Sequence, residues 1–315
     1  MNNKTILISG AAGFIGFHLS MLLSKNFKVI GIDNFIKNYD VKLKKDRLKI
    51  LKKKKNFLFI NCDISNYLKL KSILRVHKPT SVINLAAVPG VRNSIKHPKI
   101  YLRNNVIGFF NIYTLSLKYN AKLFIYGSSS SVYGNTAEKT DSPISFYAAT
   151  KKVNEIFAHS FSNFSKMKTV GLRFFTVYGP WGRPDMAIYK FVDKIYKNQT
   201  IKLYNYGRHS RDFSYIDDVV KSISLIIKNT NKLKIYNIFD IGKGKIDKLE
   251  DLLKILTQKI NKKIKIKKIK MQDGDVFSTR ANIKNFYKLF NFKPNISLKT
   301  GISNFVDWYK EYKNI

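Results

Sequence analysis

Cysteine is nearly absent from this chain: Cys62 stands alone among 315 residues. That excludes an intrachain disulfide framework and a thiolate metal site, and no metal is expected. Long apolar runs are also missing. None approaches the ~18 residues that cross a bilayer, so no membrane insertion is expected. The opening Met1-Asn2-Asn3 passes straight into a short apolar run, with no charged leader or cleavage site in view; the expectation is a cytoplasmic enzyme. Acidic residues are few, 20 against 58 Lys and Arg, which leaves a formal charge of +38.

A charge of that size raises nucleic acid or another polyanion as a partner. The two basic runs argue against it. Lys42 to Lys55 places apolar residues at helical spacing, and Lys262 to Lys270 mostly alternates Lys with Ile as an edge strand would. Both read as solvent faces of ordinary elements. Only nine of the 58 basic residues are Arg, whereas base readout and stacking favour Arg. No nucleic acid is expected.

What the chain does have begins at Lys4. A short apolar run leads into Gly10-Ala11-Ala12-Gly13-Phe14-Ile15-Gly16 and then an amphipathic stretch, which reads as strand, phosphate turn and helix. Gly10 permits the tight turn, Gly13 lets the backbone approach a pyrophosphate, and Gly16 lets helix and strand pack closely. The helix N-terminus then faces the phosphate charge. The next strand, Val29 to Ile32, ends at Asp33. A carboxylate there accepts from an adenosine ribose diol and repels a 2′-phosphate, which favours NAD over NADP. A third strand runs into Cys62-Asp63-Ile64, where Asp63 meets the adenine. Further along, Ser128-Ser129-Ser130-Ser131 precedes Val132-Tyr133-Gly134, and Tyr147 and Lys151 stand four apart. On a helix those two share a face. The ammonium lowers the phenol pKa and a serine hydroxyl shares the substrate proton, giving a base for a sugar alcohol while a nicotinamide takes the hydride.

Strand-like segments at 4–9, 28–32, 56–61, 80–86, 121–127 and 168–174 alternate with helices. The fold class is therefore α/β, a Rossmann-type doubly wound parallel sheet. After Gly179-Pro180-Trp181-Gly182-Arg183-Pro184 the pattern shortens: a helix at 185–197, a hairpin at 201–215, a helix at 215–228 and a last helix near 298–313 with Ile302, Phe305, Val306 and Tyr309 on one face. The reading is an NAD-binding domain over 1–180 and a smaller C-terminal substrate-binding lobe over 181–315, with some chain exchanged between them.

Gly-x-x-Gly-x-x-Gly, Asp33, Asn84-Leu85-Ala86-Ala87 and Tyr147-x-x-x-Lys151 together resemble the extended short-chain dehydrogenase/reductases of nucleotide sugars. The blocks Ala86 to Ser94, Phe174 to Met186, Arg211 to Asp218, Met271 to Val276 and Phe305 to Tyr309 narrow the resemblance to the UDP-glucuronate 4-epimerase family. It spans essentially the whole chain. It implies tightly held NAD on Gly10, Gly13, Phe14, Ile15, Gly16, Asp33, Asn34, Asp63, Ile64, Leu85, Ala86, Ala87, Tyr147 and Lys151. Ser129, Tyr147 and Lys151 become the catalytic trio. Ser130, Ser131 and Thr176 hold the sugar carboxylate, Arg211 and Asp275 grip the pyrophosphate and the uridine ribose, Gln272 joins them, and Arg92 and Arg183 face phosphate or uronate. The family's members pair through two helices each, here about 100–119 and 146–164, which implies a homodimer.

The resemblance also separates relatives. Sugar dehydratases and UDP-glucuronate decarboxylases of this superfamily carry Glu just before the Val-Tyr-Gly step, where this chain has Ser131. Thr176 stands where neutral-sugar epimerases usually carry Asn. The implied reaction interconverts UDP-glucuronate and UDP-galacturonate through a 4-ketone. The alternatives are a 4-epimerase of a neutral or N-acetylated UDP-hexose, a UDP-glucuronate decarboxylase, and a non-catalytic sugar-nucleotide-binding protein. Two departures border the sugar: segment 135–141 is shorter than in the family, and Val88-Pro89 replaces a polar residue and Ala.

Overall fold

A computed structural model describes residues 4–134, 141–271 and 277–315. Seven parallel strands form one sheet. The first six in the chain are β1 (Thr5–Ser9), β2 (Lys28–Asp33), β3 (Phe57–Asn61), β4 (Ser81–Asn84), β5 (Leu123–Ser129) and β6 (Lys168–Phe174). The seventh, Tyr236–Ile241, pairs with β6, and the spatial order is Tyr236–Ile241, β6, β5, β4, β1, β2, β3. Most residues of β1, β2, β4, β5 and β6 are buried because helices cover both faces, while the edge strand β3 is half-exposed. Ile6 and Ile8 pack with the helices Phe14–Leu23 and Ile216–Lys228, while Leu7 faces the opposite way toward Leu70, Ile73 and Ile112. The winding reverses between β1 and β4, and in such sheets the ligand crevice opens at the carboxyl ends of the strands flanking that reversal.

All six strands read from sequence are present, as are the helices Ala187–Tyr196, Ile216–Lys228 and Leu298–Lys313. The last buries Ile302, Phe305, Val306 and Tyr309. The hairpin expected over 201–215 does not form. Ile201–Leu203 instead pairs with Ile266–Lys268, Ser210–Arg211 with Asp247–Lys248, and Phe213–Tyr215 with Thr176–Tyr178. Asn205 and Tyr206 lie in the left-handed region at φ 50° and 53°. That turns the chain away from a local return, so each short strand finds a distant partner. The sheet's seventh strand likewise comes from beyond residue 181 and returns the chain to the nucleotide side.

The basic run Lys42 to Lys55 is not solely a solvent face. Lys44 and Arg47 on the helix Val41–Lys52 are buried, with 4% and 0% of their surface exposed. Among the described residues no helix is long and apolar enough to cross a membrane, and no cluster of His, Cys, Asp and Glu could hold a metal.

Candidate active site

A cavity of about 460 Å³ runs along the carboxyl ends of β1, β2, β4 and β5. Its floor is the glycine turn. Gly10 sits at φ +71°, and a β-carbon there would lie 2.8 Å from the Ala86 nitrogen. At Gly16 a β-carbon would overlap the Gly10 carbonyl oxygen. No larger residue fits either place, so the backbone stays open to a ligand. Gly13, Phe14, Ile15, Leu85, Ala86, Ala87, Asn34 and Ile64 line the same cavity. Asp33 ends β2 with both oxygens on main-chain donors, the amides of Ala12 at 3.1 Å and Phe35 at 2.8 Å. Burial pushes its carboxyl up, and those two amides with Lys44 pull it back. Asp63 lies in an adjoining groove with Arg103 at 3.6 Å. This cradle fits a dinucleotide. The residues named for it would hold adenosine at the Asp33 end and pyrophosphate on the glycine turn, and NAD supplies hydride transfer when bound.

At the other end Ser129, Tyr147 and Lys151 come together. Ser129 closes β5 near Tyr147, and its hydroxyl donates to Ser131 Oγ at 3.2 Å. Lys151, one turn along the helix Phe146–Ser162, holds its ammonium 6.0 Å from the Tyr147 ring centroid and donates to the Gly127 carbonyl at 2.7 Å. Burial raises the phenol, while the Arg183 charge and the Ser129 hydroxyl lower it. Burial also brings the Lys151 ammonium down to about 8, with Glu155 opposing.

The helix carrying Tyr147 is pinned by residues that sequence reading missed. Ser94 Oγ accepts the Tyr147 amide at 3.0 Å and donates to the Val91 carbonyl at 2.5 Å. Asn105 Oδ1 accepts from Val88 N at 2.7 Å, and its Nδ2 reaches Thr150 Oγ1 at 3.2 Å. Asn105 lies in a π-helical stretch, Leu102–Ile107; such local widenings often serve sites, but residue spacing gives no sign of one. Glu155 is a third: Ser128 Oγ donates to it at 2.6 Å and Arg173 grips it with two bonds of 2.9 and 2.8 Å.

Ser130, Ser131, Thr176 and Arg183 line the cavity beside the trio, together with Val88 and Pro89. Arg183 forms a two-bond ion pair with Asp185, Nε to Oδ1 at 3.0 Å. Among the described lining residues Asp33 and Asp185 are the acids. Arg92 does not line the cavity; it lies exposed over the Tyr204 ring at 5.6 Å. Arg211 is also outside the lining and donates to the carbonyls of Ser210 and Phe277. Gln272 and Asp275 lie outside the described residues.

Comparison with known proteins places this geometry. The chain is 42% identical to Protein CapI of Staphylococcus aureus over 98% of both chains. It is 38% identical to a UDP-glucuronate 4-epimerase of Thermodesulfobacterium geofontis, covering 97% of this chain and 96% of the relative. Among solved structures, UDP-glucuronic acid 4-epimerase from Bacillus cereus, in complex with UDP-glucuronic acid and NAD, matches with a TM-score of 0.92 and 31% identity, over 98% of this chain and 100% of that one. A family model described as NAD dependent epimerase/dehydratase matches residues 6–242. With its glycine cradle, its Asp33 and its Ser-Tyr-Lys cluster on one cavity, the chain belongs to the NAD-dependent epimerase/dehydratase family.

Proposed function

We propose that the protein is an isomerase, an NAD-dependent UDP-sugar 4-epimerase, and that it interconverts UDP-glucuronate and UDP-galacturonate. The observation that carries the reading is the make-up of the sugar end of the cavity. Ser130, Ser131, Thr176 and Arg183 line the same cavity as Ser129 and Tyr147, and the lining acid nearest them, Asp185, is bound to Arg183. A uronate carboxylate suits such donors. Among the described lining residues no free acid stands beside the base for elimination or decarboxylation chemistry.

Tyr147, with Lys151 one helical turn away and Ser129 sharing the proton, takes the proton of the sugar 4-hydroxyl. NAD held on the glycine turn and by Asp33 would supply reversible hydride transfer at C4 and would be regenerated each turnover. The 4-keto sugar turns about its pyrophosphate tether and presents its other face, and Tyr147 gives the proton back. That ketone is a β-keto acid, which loses CO2 when its carboxylate bond aligns with the carbonyl π system. Hydroxyls of Ser130, Ser131 and Thr176 hold the bond out of alignment, an orientation effect of the kind that governs reactivity strongly.

The protein acts as a homodimer through the face shared by the helices Gly108–Lys118 and Phe146–Ser162. Phe110 and Ile156 are 43% and 56% exposed there. The Phe110 ring lies 6.1 Å from those of Phe157 and Phe161, which makes a continuous apolar patch.

Proton NMR of purified protein with UDP-glucuronate, no added cofactor and captured CO2 tests the assignment. UDP-galacturonate is the expected product. A pentose with CO2 would assign decarboxylation instead, and turnover of UDP-glucose or UDP-N-acetylglucosamine alone would overturn the uronate specificity.

A further inference from the structure

Arg47 is the largest fully buried side chain among the described residues, and no carboxylate lies within ion-pair distance of it. A desolvated guanidinium without a direct ion pair is costly to fold around, and an apolar residue of similar size is generally tolerated better. Its donors go to main-chain carbonyls and one phenol. Nη1 donates to the Ala12 carbonyl at 3.0 Å and to the Tyr39 hydroxyl at 2.8 Å. Nη2 donates to the carbonyls of Trp181 and Gly182, the latter at 3.3 Å.

Those acceptors belong to two different parts of the cavity. Ala12 lies inside the glycine turn, between Gly10 and Gly13. Trp181 and Gly182 directly precede Arg183, the cation at the sugar end. One planar side chain therefore spans from the phosphate turn to the segment that presents Arg183. His18, on the first helix after the glycine turn, adds a parallel strut with Nε2 at 2.8 Å from the Pro180 carbonyl oxygen. Trp181 is fixed further by ring contacts with Phe17, Trp308 and Tyr312. Lys44 feels the charges of both Arg47 and Arg183, so three cations converge on this corner. Asp33 and Asp185 oppose them, and Asp185 is already taken by Arg183. The surplus of positive charge matches a phosphate ligand better than a neutral one.

We propose that Arg47 is a positioning residue that couples the two ends of the cavity: pyrophosphate charge on the glycine turn draws on the buried guanidinium, tightens the Ala12–Arg47–Trp181 strut and holds Arg183 for the second ligand. Dinucleotide binding thereby raises the affinity for the nucleotide sugar. Linkage makes the effect reciprocal, so the sugar nucleotide in turn raises the affinity for the dinucleotide by the same factor. Lysine cannot replace Arg47 in this role, because a single ammonium lacks the planar fork that serves Ala12 and Trp181 together.

Calorimetry of UDP binding to the protein stripped of NAD and reloaded with it tests the coupling. The wild type should bind UDP at least about fivefold more tightly when loaded, within the usual range for coupled sites. In Arg47→Lys and Arg47→Gln that ratio should fall to about one. A wild-type ratio of one, or an undiminished ratio in the variants, overturns the proposal. Should the variants not fold, hydrogen exchange on the unmodified protein decides. NAD should slow exchange of the Gly182 and Met186 amides, which bond Gly179 and Arg183 carbonyls at 3.0 and 3.1 Å, and equal exchange with and without NAD refutes it. Failure of UDP to bind either form would count against the nucleotide-sugar reading, while the exchange measurement would still judge the strut.

Discussion

Glu155 sits one helical turn beyond Lys151, and its carboxylate is what keeps the Lys151 ammonium from falling further under burial. The groups around that carboxylate are Ser128, Arg173 and Lys152, with Asp141 on the far side of Arg173 and Lys152. Replacing it by the isosteric amide in Glu155→Gln removes the negative charge and leaves Arg173 its Asp141 partner. Lys151 then loses its proton at lower pH, and the alkaline limb of the kcat profile should move down by about one unit. A profile that stays in place while the melting temperature falls would make Glu155 a structural clip only.

Tyr147→Phe keeps the ring and removes the hydroxyl that lies buried near Arg183 and Ser129. The expected cost is about 10²–10⁴ in kcat, the usual worth of a general base, with bound NAD and UDP affinity unchanged. Steady-state rates beside calorimetry separate the two effects. Near-normal turnover would remove Tyr147 from the role.

Thr176 lines the sugar end beside Ser130 and Ser131. If these hydroxyls hold the carboxylate bond of the β-keto acid away from the carbonyl π system, Thr176→Ala should release more CO2 per epimerisation than wild type. Captured CO2 set against UDP-galacturonate formed gives the ratio directly. Equal ratios would mean that the orientation is set elsewhere.

The elements that announced themselves in sequence were those governed by local rules. The short apolar runs before Gly10 and at Asp33 became β1 and β2, because a strand buried on both faces has to be largely apolar. Nonlocal pairing escaped: the strands at 201–203, 210–211 and 213–215 looked like one hairpin but each joins a distant segment. Residue type also misled. Lys44 and Arg47 sit in a run whose composition reads as solvated surface, yet the helix turns those two inward, where carbonyls and a phenol replace water. Arg92, a cation read toward the substrate, lies outside the cavity lining, over the Tyr204 ring. The π-helical Asn105 left no trace in spacing at all, since its departure from the helix is made by tertiary bonds to Val88 and Thr150.

Ile156 is an exposed apolar side chain on the helix that carries Tyr147. In Ile156→Asp a desolvated carboxylate would oppose its copy across a symmetric interface. The variant should sediment as a monomer where the wild type sediments as a dimer, with its far-ultraviolet circular dichroism unchanged. A wild type that is monomeric at micromolar concentration would refute the interface.

Lys151 illustrates how the site weighs against stability. In the folded chain its ammonium titrates at about 8, whereas an unfolded lysine holds its proton to about 10.4. Between those two values the unfolded state binds more protons, so stability rises with pH across that window. Below about 8 the full cost of the buried charge applies. The difference corresponds to about 3 kcal/mol, more than the ~1 kcal/mol of the bond to Gly127 that is lost with the ammonium. Lys151→Met in NAD-free protein should therefore raise the urea midpoint at pH 7, and the gain should shrink as pH climbs from 8 toward 10. A gain that is the same at both ends of that range would show that packing, not the buried charge, sets the difference.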